Sequence, residues 1–121
     1  MRFFYFEKLE VWRKSRILNK NIYLISQKFP VEEKFGITQQ IRRACISIGC
    51  NLAEGSSRNT GKDQARFSEI AYGSLLEVMN LLIAAEDLFY ITEEEVLDQR
   101  PLIEEIGNKI NALRQTQLKR T

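Results

Sequence analysis

Residues 67–89 read FSEIAYGSLLEVMNLLIAAEDLF, and their spacing decides the fold. Phe67, Ala71, Ser74, Val78, Leu81, Ala85 and Leu88 recur at alternating steps of four and three. That is the period of an α-helix with one apolar seam. Ile70, Leu75, Leu82 and Phe89 add a second apolar row, which predicts a helix contacted on two sides. A helix that needs two neighbours belongs in a bundle.

The segments on either side supply those neighbours. Upstream, Val11, Ser15, Leu18, Ile22, Ile25 and Phe29 form a heptad seam, widened by Leu9 and Trp12 and stopped by Pro30. Ile37, Ile41, Ala44, Ile48 and Leu52 form another. Gly36 marks the turn before it, Thr38 or a neighbour is the expected cap, and the run GSSRNTG at 55–61 ends it. Downstream, Thr92 followed by Glu93, Glu94 and Glu95 predicts a capping box, with three acids at the positive end of a helix. Val96, Ile103, Ile106, Ile110 and Leu113 give its stripe. Pro101 lies inside that stripe and predicts a kink or a restart. No strand-period alternation competes, and the connections are short. The expected fold is all-α: one antiparallel up-down four-helix bundle over residues 1–121, a single domain.

The chain has 121 residues and no His. A Ser-His-Asp triad, a Cys-His pair and an imidazole metal site are therefore excluded, and no cofactor is expected. Cys45 and Cys50 lack a CxxC spacing, so no zinc or redox signature is present. Five residues apart on a helix, they point about 140° from one another and do not pair; both are expected as buried small apolar residues. Glu54, Glu69, Glu77, Glu86 and Asp87 make no di-iron pattern, which needs Glu-x-x-His. The N-terminus lacks a signal-peptide core, and no stretch approaches about 18 uncharged apolar residues. A soluble cytoplasmic protein without enzymatic activity or membrane contact is expected.

The net charge of +2 conceals a division. Residues 1–66 hold 13 Lys or Arg against 6 Asp or Glu, a net of +7. Residues 67–121 hold 5 against 10, a net of −5. The excess of positive charge in the first half suits phosphate backbones. Arg13, Lys14, Arg16, Lys20, Arg42, Arg58, Lys62 and Arg66 are the candidate nucleic-acid contacts. Pairing between faces of the bundle, or between copies of the chain, is the competing use of these charges.

If the second turn centres near residue 60, the helices on either side pair level for level. Ser47 then faces Ser74, and Arg43 is expected to pair with Glu77. Gly49 and Gly73, near that level, predict close backbone approach.

Several runs are familiar in combination: Leu9-Glu10-Val11-Trp12, Phe29-Pro30, Ile41-Arg42-Arg43-Ala44, Ser47-Ile48, Asn51-Leu52-Ala53-Glu54-Gly55 with Arg58, and Ile70 through Glu77. Together they resemble the four-helix-bundle proteins encoded in intervening sequences of bacterial 23S rRNA genes. That family includes the accessory variability determinant of diversity-generating retroelements. The resemblance implies a homo-oligomeric ring, a pentamer, with RNA or DNA as a partner. It also implies, as the alternative, a scaffold for another protein such as a reverse transcriptase. By position it gives Arg43, Asn51, Glu54 and Glu77 as structural polar contacts. Gly49 and Cys50 depart from the family's frequent Pro and Ser.

Overall fold

A computed structural model describes residues 3–120. Four helices carry the chain: α1 (Glu10–Ser26), α2 (Ile37–Gly55), α3 (Gly61–Asp87) and α4 (Glu93–Leu118). Short 3-10 turns at Tyr5–Lys8 and Val31–Glu33 precede α1 and α2. There is no strand among the described residues.

The seams meet as one core. Leu18 and Ile22 from α1, Ile41 and Ile48 from α2, Leu75, Val78 and Leu82 from α3, and Ile106 and Ile110 from α4 are all fully buried. α3 lies between α2 and α4, and α1 closes the bundle by touching both of those. Each neighbouring pair is antiparallel. Along α1, Lys14 meets Glu105 and Asn21 meets Gln99, so the two helices run in opposite directions. Ser68 meets Gln117 while Leu75 lies beside Gly107, which reverses α3 against α4 in the same way.

The helix ends follow local chemistry, with some corrections. Thr92 accepts from the Glu95 N–H and Glu95 returns the bond to the Thr92 N–H, completing the capping box. Thr60 caps α3 through the Asp63 N–H at 3.1 Å, seven residues before the seam begins at Phe67. Thr38 is not a cap. It is the second residue of α2, and the Glu33 carboxylate accepts from the Ile37 N–H instead. α4 runs unbroken past Pro101, so no restart occurs there. α1 ends at Ser26, yet Phe29 stays buried in the turn, its ring 5.9 Å from Tyr90.

The second row of α3 is carried by Leu75 and Leu82 alone. Ile70, Leu88 and Phe89 are exposed. Helix α3 stops at Asp87, and Phe89 takes a left-handed φ of 64°, which turns the chain away from the seam. The Phe89 N–H donates to the Glu86 carbonyl and the Tyr90 N–H to the Ala85 carbonyl, the Schellman pattern.

The expected level of the α2–α3 hairpin is observed: Ser47 Oγ and Ser74 Oγ are 2.9 Å apart. Arg43 and Glu77 are not paired. Both are exposed at the rim, because register fixes height along a helix and not the direction a side chain takes around it. The glycines also serve other contacts. A Cβ on Gly49 would lie 3.3 Å from Ser15 Oγ, so the close approach is to α1, and Gly73 faces open space. Cys45 is buried as expected but Cys50 is exposed, and both thiols are free. α3 is long and apolar enough to cross a bilayer by length and composition, but Leu75, Val78 and Leu82 face the bundle core.

Candidate nucleic-acid interface

Folding redistributes the charge. α4 returns beside α1, and several charges of opposite sign are spent across that contact. Lys14 pairs with Glu105 at 3.5 Å, Lys109 with Glu10 at 3.0 Å, and Lys28 with Glu95. The Lys109 ammonium beside Glu10 holds that carboxyl below the usual carboxylate range, and Glu10 raises Lys109 in return. Charge is also separated along the bundle axis. Residues 84–98, around the α3–α4 turn, hold six acids and no Lys or Arg. Residues 109–120, at the other end, hold four cations and no acid.

The basic end is built from the α2–α3 turn and the C-terminus of α4. Gly61 makes the junction possible, since a Cβ there would lie 2.1 Å from the Gln117 carbonyl. The buried Ser68 hydroxyl and Gln117 side chain bond at 2.7 Å just inside it. Gln64 then links the two segments, donating to the Arg58 carbonyl at 3.0 Å and accepting from Arg120 at 2.7 Å.

An open cleft of about 690 Å³ lies here, with Arg58, Lys62 and Arg66 around it and Ala65 and Leu118 on its apolar wall. Its two acids are already engaged: Asp63 by Arg66 at 3.1 Å, and Glu69 by Arg114 at 3.5 Å. Arg58 and Lys62 make no ion pair among the described residues. Arg58 and Arg66 both stack on Phe67, 4.8 and 5.1 Å from its centroid, which fixes the two guanidinium groups; Arg66 turns its edge to Asp63, while the Arg58 edge is left free to donate.

The eight expected basic contacts therefore fall into four groups. Arg58, Lys62 and Arg66 share the cleft. Arg13, Arg16 and Lys20 are exposed along α1, where Arg13 donates to the Glu7 carbonyl and Arg16 lies over Trp12. Lys14 is turned towards α4. Arg42 straps α1 to α2, donating to Ser26 Oγ at 2.8 Å and stacking 4.6 Å from the Tyr23 centroid. Of the four expected structural polar residues, Asn51 donates to the Ser47 carbonyl and hydroxyl within α2. Arg43, Glu54 and Glu77 are exposed on the subunit. Arg114, Lys119 and Arg120 were missed because they were counted with the acidic half. An antiparallel α4 already implied that they return to the α2–α3 turn. Among the described residues no three Cys, Asp or Glu gather to hold a metal.

The fold and this end define a small antiparallel four-helix bundle whose charge is polarised along its axis. The sequence model of the 23S rRNA-intervening sequence proteins matches residues 7–112, and the chain belongs to that family. Among solved structures, it is similar to a Bacteroides thetaiotaomicron protein of unknown function from the S23 ribosomal protein family. The two are 25% identical with a TM-score of 0.64, over 89% of this chain and 94% of the other. No curated protein matches the chain.

Proposed function

We propose that the protein is a non-enzymatic, nucleic-acid-binding homo-oligomer of the bacterial cytoplasm, and that its basic end is the contact surface. The observation that carries this reading is the cleft itself. Arg58, Lys62 and Arg66 converge there; Arg66 holds Asp63 and Arg114 holds Glu69, which leaves Arg58 and Lys62 without an acidic partner among the described residues. Such a site attracts phosphates of RNA or DNA without reading base sequence. Repeating it in a ring, five-fold as the family resemblance implies, multiplies a modest subunit affinity through avidity. The outer face of α3 supports lateral assembly, since Ile70, Leu76 and Ile83 are exposed at helical spacing around the open Gly73.

A salt-titrated binding assay on structured RNA and on duplex DNA tests the reading, with the native mass measured by light scattering. Binding should fall steeply with salt as counterions are released. Absence of binding at low salt, or affinity indifferent to salt, refutes the nucleic-acid role. A monomer at micromolar concentration refutes the ring.

A further inference from the structure

We propose that the acidic, aromatic end of one copy docks into the basic cleft of another, with Phe89 as the inserted side chain. Phe89 is 94% exposed and Leu88 beside it is also exposed. The α1–α2 turn reaches the same end, because Tyr90 packs on Phe29 and donates to the Glu33 carboxylate at 2.7 Å. That turn adds the exposed Val31 and Phe35. An apolar cap of this kind, ringed by charge, has the form of an interaction surface.

A second copy is the occupant because both halves of the match are on one chain. Around Phe89 stand Asp87, Glu93 and Glu94, all exposed and without an ion pair among the described residues. At the far end, Arg58 and Lys62 are likewise unpaired beside a cleft of about 690 Å³ whose wall includes Ala65 and Leu118. The cleft offers an aromatic ring apolar surface, and its rim offers the opposite charge. The two surfaces lie at opposite ends of the bundle, so the contact is heterologous and joins copies head to tail. It is separate from the lateral face of α3. It occupies the cations assigned above to nucleic acid, so docking and nucleic-acid binding compete. Only this competition rests on the proposed function.

Sedimentation velocity of the full chain, without nucleic acid, tests the docking. At low salt the assembly should grow with concentration, and high salt should reverse the growth. Phe89→Gly and Phe89→Asn both tolerate the left-handed backbone and should weaken the growth roughly thirtyfold, the scale of a truncated hot-spot aromatic. Glu93→Lys with Glu94→Lys should not grow alone, nor should Arg58→Glu with Lys62→Glu. Mixed, they should associate, because each restores the charge the other lacks. Growth unchanged in both Phe89 variants, or no association in the mixture, overturns the proposal. Neither result touches the nucleic-acid assay, so the two readings fail separately. An added oligonucleotide should disperse the assembly; growth that persists with the oligonucleotide bound overturns the competition.

Discussion

Cys45 and Cys50 share a helix and meet opposite surroundings. Burial among the seams pushes the Cys45 thiol up to about 12, so no appreciable thiolate forms at neutral pH. Cys50 is exposed. A thiol reagent should therefore label one group in the native protein, Cys50→Ser should abolish that labelling, and Cys45 should react only on unfolding. Ellman titration with and without denaturant checks this. The sequence already held half the answer, since a separation of about 140° seldom places both residues on the core side. Phe89 is the other informative single residue. Its left-handed backbone costs a non-glycine residue about 1–2 kcal/mol, and its exposed ring recovers little by burial. Phe89→Gly should raise subunit stability by roughly 1 kcal/mol in denaturant unfolding. Nothing in the helical period signalled this, because Phe89 extends the second row of α3 by spacing alone.

At the scale of helices, two glycines make opposite predictions. Gly61 lies where α3 begins against the end of α4, and a Cβ there collides with the Gln117 carbonyl. Gly61→Ala should destabilise by roughly 2–4 kcal/mol, in the range of overpacked junctions. A Cβ on Gly73 meets nothing within 4 Å, so Gly73→Ala should stabilise the subunit by about 1 kcal/mol. Thermal or urea unfolding separates the two. The start of α4 adds a pH dependence. Lys28, followed by the Thr92 N–H, holds the Glu95 carboxyl below the usual carboxylate range. Its stabilisation is therefore full above the unfolded value and lost as pH falls through the folded one. Thr92→Ala should cost about 1 kcal/mol at neutral pH, and Glu95→Gln should flatten the acid limb of the stability curve. The helices, the capping box and the Ser47–Ser74 level were legible because each follows from spacing along one or two helices. The Arg43–Glu77 pair was not, because it also depends on rotation about each helix axis.

For the molecule as a whole, the instructive change is in the charge. Counting along the chain divides it into a basic and an acidic half, whereas an antiparallel bundle sorts it by end. Arg58, Lys62 and Arg66 were legible as a basic turn, but their cleft needed α4 to supply Leu118. Two basic surfaces remain to be distinguished, the cleft and the exposed row Arg13, Arg16 and Lys20 on α1. On α1, Arg13 already donates to the Glu7 carbonyl and Arg16 lies over the Trp12 ring. In the cleft the acids are neutralised and the guanidinium groups are held by Phe67. Phosphate binding should therefore depend on the cleft. Arg58→Gln with Lys62→Gln should reduce the slope of log affinity against log salt by about 2 and weaken low-salt binding about tenfold. Arg13→Gln with Arg16→Gln removes the same formal charge and should change the slope by well under 1. Fluorescence anisotropy on one labelled RNA across a salt series measures both. Equal losses from the two variants would show that net charge alone governs binding, and a larger loss from the α1 variant would move the contact surface to α1.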